Sequence, residues 1–422
     1  MTLHIENFGK IKNADIELSG LTVVAGQNDT GKSTVGKALF AIVKSISEYP
    51  ELYERLKQNT ISSAIQSLCF DAINEKSITE DPDLFNFSQE IRNFLLQENG
   101  YIPPAAYDFI KRLEDFYKKK SLQETSFFKR LMALKAFINS DATAEEKIKN
   151  IIVTIFGRSF ISEINNSCHL DETAHLSYKK EDITIADVSF KSNAVGKVLF
   201  EEKNKAFGFA DATFIDTPLY LDVAFESKLY FGHDVKIKLE AAKEKISEQA
   251  FSVVSDEIAK VLNGASFVIN PNGMHEWVYK VSPTADLLHI SNIASGSRSF
   301  GILDILVKSG ILKKDSILVL DEPENHLHPE WQLKYAEILA LMVREGYYVL
   351  LTSHSPFFLQ ALKLYADKYG VLENKTHFYL AEKINDGSNY STIKDVTGNT
   401  EEIFANLAAP LDSLFMEAWN NG

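Results

Sequence analysis

Three short runs of this sequence hold residues whose types and spacing could do chemistry. Gly26, Asn28, Asp29, Thr30, Gly31, Lys32 and Ser33 fall in the pattern GxxxxGK[ST], and Thr34 follows it directly as a further candidate contact. The pattern describes a mechanism. Its glycines let consecutive backbone N–H groups curl around phosphates, its lysine reaches the β- and γ-phosphates, and its serine hydroxyl binds Mg²⁺. ATP and Mg²⁺ are therefore the expected ligands, with Ser33 on the metal. In the second run, Ser316 to Pro323, four apolar residues lead to Asp321 and Glu322. Such a strand buries itself in a parallel sheet and leaves its carboxylates at the C-terminal edge, where ligands collect. Asp321 is expected in the Mg²⁺ shell, and Glu322 beside the attacking water of a phosphoryl transfer. The third run, Thr352 to Pro356, centres on His354.

The elements that must position these runs are legible in the hydrophobic pattern. Leu21 to Ala25 is a short apolar strand running into the glycine-rich loop, and Val35, Leu39, Ile42, Val43 and Ile46 recur at helical spacing behind it, up to Pro50. Residues 3–8 and 11–18 read as two earlier strands. Alternation returns at Ile183 to Phe190, Val198 to Glu201 and Thr213 to Asp216, followed by one charged helix over Val235 to Asn263. Phe267 to Asn270 and Trp277 to Val281 read as strands, as does Tyr347 to Thr352, which ends at His354 after a helix over Pro329 to Glu345, and the tail reads as one strand, Thr376 to Ala381, plus helices. Between Glu51 and Lys180 the pattern is amphipathic helix broken by polar turns, with no sustained heptad, so a globular helical lobe is expected and not a long coiled coil. The fold class is α/β, a mixed sheet lobe plus a parallel core sheet with flanking helices. Residues 1–50 and 181–422 are expected to form the head and residues 51–180 an inserted all-helical lobe.

Composition narrows the partners. A formal net charge of −14 gives no global field toward phosphate backbones or anionic lipid, so nucleic acid is not the default ligand. Cys69 and Cys168 form no CxxC pair, which argues against a disulfide framework or a cysteine zinc site. No leader and no membrane span are read, and a cytoplasmic location is expected. One local stretch, with Lys111, Arg112, Lys118, Lys119, Lys120, Lys129, Arg130 and Lys135 interleaved by Tyr107, Phe109, Phe116 and Tyr117, has the aromatic and cationic make-up of a single-strand binder. Glu114 and Asp115 inside it favour the plainer reading, a solvated helix with its aromatics in the core. His326 and His328 have the spacing of a metal pair but no third ligand nearby.

With Ala294 to Ser297, Asp321 to Pro329 and Thr352 to Pro356 in this order after the P-loop, the chain resembles the SMC/OLD-like ABC ATPases. These include the OLD group and the stand-alone ATPases of bacterial anti-phage systems such as Septu, PARIS and retron operons. Asn28 of GxNxxGKS fits that branch better than transporter ATPases. The resemblance covers residues 1–49 and about 181–365. It implies an ATPase in which Ser295 and Gly296 of one protomer contact the γ-phosphate held by another, giving a head-to-head homodimer, with His354 sensing the same phosphate. The Q-loop glutamine that the family normally carries has no clear counterpart in this sequence; Asp216 is the positional candidate. A regulatory ATPase acting on a co-encoded effector protein, in an anti-phage setting, is the expected role. The alternatives are a DNA-repair or recombination ATPase that loads on DNA itself, and an ATP-bound oligomeric scaffold with little turnover. No nuclease is expected in the chain, because the tail acidic residues, from Asp367 to Asp412, include no DxD pair and His169 and His175 lack partners at metal-site spacing.

Overall fold

The computed structural model describes residues 1–97, 102–246, 252–273 and 275–409. Asp412 and the rest of the C-terminal tail lie outside the described residues. The chain divides into two compact units, one of Met1–Ser47 with Ile152–Gly422 and one of Glu48–Ile151.

The first unit opens with three strands, β1 (Thr2–Phe8), β2 (Ile11–Glu17) and β3 (Leu21–Gly26), and the helix α1 (Lys32–Ser47). The second unit is helical wherever it is described: α2 (Glu51–Asn74), α3 (Lys76–Thr79), α4 (Pro82–Gln97), α5 (Pro104–Lys119), α6 (Ser126–Asn139) and the first half of α7 (Ala144–Ser159). Its own core gathers Ile65, Phe109, Leu113, Tyr117 and Leu131, none more than 1% exposed. The chain then returns to the first unit with β4 (Ala174–Lys180), β5 (Ile183–Lys191), β6 (Ala194–Phe200), β7 (Ala212–Ile215), α8 (Tyr230–Lys245) and α9 (Val253–Val261). A small sheet of β8 (Ser266–Ile269), β9 (Trp277–Lys280) and β10 (Leu287–His289) follows, then α10 (Ser295–Lys308), β11 (Ile317–Asp321), α11 (Pro329–Arg344), β12 (Tyr348–Ser353), α12 (Pro356–Lys368), α13 (Leu372–Lys375), β13 (Thr376–Lys383) and β14 (Ser391–Asp395).

The main sheet has 11 strands in the order β6-β5-β4-β1-β2-β14-β13-β3-β12-β11-β7. From β6 to β2 neighbours run antiparallel, whereas β13, β3, β12, β11 and β7 are parallel throughout. This is the α/β architecture expected of an ABC-type ATPase head, a mixed lobe joined to a parallel core. Ile317, Leu318, Val319 and Leu320 of β11 are at most 1% exposed, so the strand is covered on both faces. Each such side chain contributes on the order of 2 kcal/mol, an upper estimate because the unfolded chain is already partly compact.

Three sequence expectations are corrected. The helical insertion does not extend to residue 180: β4 pairs with β1 (Leu3↔Tyr178, Ile5↔Leu176) and belongs to the main sheet. A strand of only seven residues leaves too short an alternation to register. The helix over Val235 to Asn263 is not continuous, since α8 ends at Lys245 where Ile246 turns to extended backbone (φ −68°, ψ 124°), and α9 begins at Val253 behind a Ser252 cap. The tail contributes two strands to the sheet and not one: β14 pairs β13 on one side and β2 on the other.

Candidate nucleotide site

The parallel core brings the three motif runs to one edge. In the order β3, β12, β11, β7, successive strands end at the P-loop, at Ser353 and His354, at Asp321 and Glu322, and at Asp216. Register sets the fit: Thr352 lies opposite both Val24 and Asp321. Ligands collect at this edge of a parallel sheet because the strand ends, the loops and the helix N-termini all converge there.

The P-loop shape follows from its glycines. At Gly26 a Cβ would come within 2.5 Å of the Ala381 carbonyl oxygen, and Gly31 has a φ of +84°, a left-handed backbone. Lys32 opens α1 and is 4% exposed; its ammonium donates to the Gln27 carbonyl at 2.8 Å and stands 3.6 Å from Glu322 Oε1. Burial lowers its pKa, and the nearby Glu322, Asp321 and Glu324 only partly oppose that. Thr30 is buried and donates to the Gln27 carbonyl (2.8 Å), whereas Asn28 and Asp29 are exposed. Asp29 is bracketed by Lys10 and by Lys383 at 3.4 Å, and its hydrogen bond with Lys10 holds its carboxyl below the usual range.

At the end of β11, Asp321 accepts from the Thr352 hydroxyl of β12 at 2.6 Å. Burial nonetheless pushes the Asp321 carboxyl above its ordinary pKa, against hydrogen bonds from Thr352 and Ser33. Glu322 takes a left-handed backbone (φ 49°, ψ 54°), which is strained for a residue with a Cβ by roughly 1 kcal/mol or more. Its N–H compensates by donating to the Thr352 carbonyl (3.2 Å) and hydroxyl oxygen (3.1 Å). Asn325 donates to one Glu322 carboxylate oxygen at 2.8 Å, and His354 Nδ1 lies 3.2 Å from the other. Burial works against the Glu322 carboxylate, but Asn325, His354 and Lys32 together outweigh it and keep its pKa low. An ionised carboxylate held by fixed donors at a cavity edge can orient water.

Glu322, Lys32 and residues Asp29 to Thr34 line a cavity of about 570 Å³, a volume in the range of small-molecule sites. The opposite wall includes Glu163, Asn166 and Asn193. It is rigid because Asn193 Oδ1 accepts from the Ile164 and Asn165 N–H groups (2.8 and 2.7 Å), while Asn165 Oδ1 accepts from Asn193 N–H at 2.9 Å. A second, small cavity of about 20 Å³ brings Asp216 beside Asp321 and Glu322, with the Tyr220 hydroxyl donating to Asp216 at 2.6 Å.

Ser295 and Gly296 open α10 outside the lining of the larger cavity, against residues of their own chain. The Ser295 hydroxyl reaches the His326 carbonyl at 3.5 Å, and a Cβ on Gly296 would come within 2.9 Å of the Trp331 ring. His328 caps α11 by accepting from Glu330 N–H (3.4 Å). In the second unit Phe109 and Tyr117 are buried in the core, whereas Phe116 is half-buried and Tyr107 is 40% exposed; Arg112 lies over the Phe87 ring at 4.5 Å. Sequence reasoning missed Thr352 as the Asp321 partner, Asn325 as the Glu322 partner, and the Asn165–Asn193 wall. Asn325 follows Glu322 by three residues in the same run, which was an available signal; Thr352 lies in a different run from Asp321 and meets it only because β12 pairs with β11, and the wall left no signal.

A family model described as an AAA ATPase domain matches residues 1–359. The chain belongs to that family. Among curated proteins, this AAA ATPase-domain chain is 28% identical over 199 residues to the energy-coupling factor transporter ATP-binding protein EcfA2 of Lactobacillus gasseri. The match covers 46% of the chain and 56% of the relative, so the chain spans little more than half the length of that curated protein. Among solved structures, it is similar to the SMC head domain from Thermotoga maritima (11% identity, TM-score 0.41, covering 94% of this chain and 98% of that one). It is also similar to an SmcHead bound to the C-winged helix domain of ScpA (9% identity, TM-score 0.43, covering 93% and 97%). No helix among the described residues is long and apolar enough to cross a membrane.

Proposed function

We propose that this AAA ATPase-domain chain binds ATP with the P-loop residues Gly26, Asn28 to Thr34, and hydrolyses it with Glu322 and His354. The observation that carries this reading is the convergence of Lys32, Asp321, Glu322 and His354 at the C-terminal ends of three adjacent parallel strands. Ser33 and Asp321 would hold Mg²⁺. An all-oxygen pair suits a hard divalent cation, and the metal supplies charge neutralisation at the phosphates. Lys32 supplies the fixed positive charge, Glu322 orients the attacking water, and His354 holds the γ-phosphate side of the site, work that phosphoryl transfer asks mainly of positioning and electrostatics. Asp216 is our candidate for the Q-loop position, on its place beside Asp321 and Glu322.

In the same reading two protomers meet head to head, and Ser295 and Gly296 of each complete the other's site. The family resemblance supports this, together with the placement of both residues at a helix N-terminus, which suits an anion. The ATP-driven dimer regulates a co-encoded effector protein in anti-phage defence. Direct measurement of ATP binding and hydrolysis by the wild type, Lys32→Ala and Glu322→Gln tests the first step. Lys32→Ala should lose tight binding, and Glu322→Gln should bind without turnover; an active Glu322→Gln would overturn the assignment. The trans arrangement is tested by mixing Lys32→Ala with Ser295→Tyr, chosen because a side chain at Gly296 would strike Trp331 of its own chain. Each alone should be inactive and verified mixed dimers partly active; inactive mixed dimers would refute it. Co-expression with the neighbouring gene, followed by purification of the complex, tests the effector step.

A further inference from the structure

The run from Asp321 to Glu324 holds three carboxylates, and phosphoryl transfer gives tasks to only two of them. Glu324 is 3% exposed. Among the described residues no lysine or arginine forms an ion pair with it, so its burial is not explained by charge pairing. Removing a carboxylate from water is expensive without compensation, and an apolar side chain would serve stability as well or better. Its bonding is one-sided. Oε1 accepts from the Ser353 hydroxyl (2.5 Å) and from the His354 N–H (3.3 Å), while Oε2 is buried with no hydrogen-bond partner. Both donors belong to the loop that carries the His354 ring. Ser353 Oγ also accepts from the Ser355 N–H (3.1 Å), and the Ser355 hydroxyl caps α12 at the Phe358 N–H (3.3 Å). Gln332 of α11 donates to the Leu327 carbonyl (3.1 Å) and so fixes the far end of the turn that bears Glu324.

From this arrangement we infer that Glu324 is a positioning residue for hydrolysis: its carboxyl ties the Ser353–His354 backbone to the end of β11, so that the His354 ring is held against Glu322. The inference rests on the proposed roles of Glu322 and His354. The required property is an acceptor at Oε1 and not a negative charge, because both partners are neutral donors. Misplacing a reacting group by about 1 Å can slow chemistry roughly 10²-fold without touching substrate binding.

The test uses the full chain in steady-state ATP hydrolysis and equilibrium ATP binding, with wild type, Glu322→Gln, Glu324→Ala, Glu324→Gln and Ser353→Ala side by side. Glu324→Ala should lower kcat roughly 10- to 100-fold while Kd for ATP changes less than about threefold. Glu324→Gln, which keeps the acceptor, should recover most of that loss, and Ser353→Ala should fall between. A wild-type kcat in Glu324→Ala, or equal loss in Glu324→Ala and Glu324→Gln together with weakened ATP binding, would overturn the inference. If Glu324→Ala does not fold, Ser353→Ala decides: reduced kcat with ATP binding kept supports the role, and a wild-type kcat refutes it. Wild type no faster than Glu322→Gln would sink the ATPase reading and this inference with it, whereas an active wild type, a dead Glu322→Gln and an unaffected Glu324→Ala would sink this inference alone.

Discussion

Helix α1 carries a buried lysine near each end, and the protein surrounds the two differently. Lys44, 5% exposed, sits between Asp211 (2.9 Å) and Asp234 (2.8 Å), and those same carboxylates hold Lys238 at 2.7 and 2.8 Å. Two cations and two anions thus close a square that ties α1 to α8 and to the start of β7. Lys32, 4% exposed, reaches its nearest carboxylate only at 3.6 Å and is otherwise bound to one backbone carbonyl. Two carboxylates clamp Lys44 in direct contact, whereas the carboxylates near Lys32 come no closer than 3.6 Å. A lysine clamped within the fold has a structural task, while one held only at longer range beside a cavity keeps its ammonium available to an incoming anion.

The largest expected effect comes from opening the closed square. Lys44→Met leaves Asp211 and Asp234 short of a buried cation and should cost about 3 kcal/mol or more, lowering Tm by about 5 °C or more in thermal unfolding. A loss below about 1 kcal/mol would mean that the square contributes little. Next is Glu322→Gln, where turnover should fall at least about 10²-fold with ATP binding retained, measured by hydrolysis and equilibrium binding in parallel.

A smaller effect follows from pH. Burial works against the Asp211 carboxylate, but Lys238 and Lys44 outweigh it and hold its pKa below the ordinary aspartate value. The stability this contributes is present above the unfolded-state pKa of about 3.9 and is lost as pH falls through the lower folded value. Acid unfolding of Lys44→Met should therefore begin at higher pH than in the wild type; coincident acid transitions would contradict it. Glu322, whose pKa is likewise held low, should stay ionised to below the usual glutamate range, so the acid limb of kcat/KM should be set by Asp321, which burial holds above the ordinary aspartate value of about 3.9, and should lie above that value; a limb below it would contradict this.

The open end of α1 was legible in the sequence and the closed end was not. Lys32 belongs to a contiguous pattern whose neighbours in sequence are its neighbours in space, and Asp321 and Glu322 end a strand of four apolar residues, so local chemistry was enough to find them. Lys44 and Asp211 are 167 residues apart, and nothing in either segment announces the other. The same holds for Asn165 with Asn193, and for β14, whose pairing with β2 depends on a strand at the opposite end of the chain. Glu324 was visible as a letter within its motif, but its task depends on β12 lying beside β11, a pairing that sequence alone does not specify.

The most direct test of the nucleotide-site assignment is thermal unfolding of wild type, Lys32→Met and Lys44→Met, each with and without MgATP. Burial lowers the folded-state pKa of Lys32, so its charge is a liability until an anion arrives: stability should rise with pH between that lowered value and the unfolded value of about 10.4. Replacing it with a neutral side chain of similar size should accordingly leave Tm equal to or above wild type without ATP, and abolish the rise that MgATP produces by binding the folded state. Lys44→Met should show the reverse pattern, a lowered Tm with the ATP-dependent rise intact. A Lys32→Met protein that loses as much stability as Lys44→Met, or that still gains the full rise with MgATP, would contradict the account.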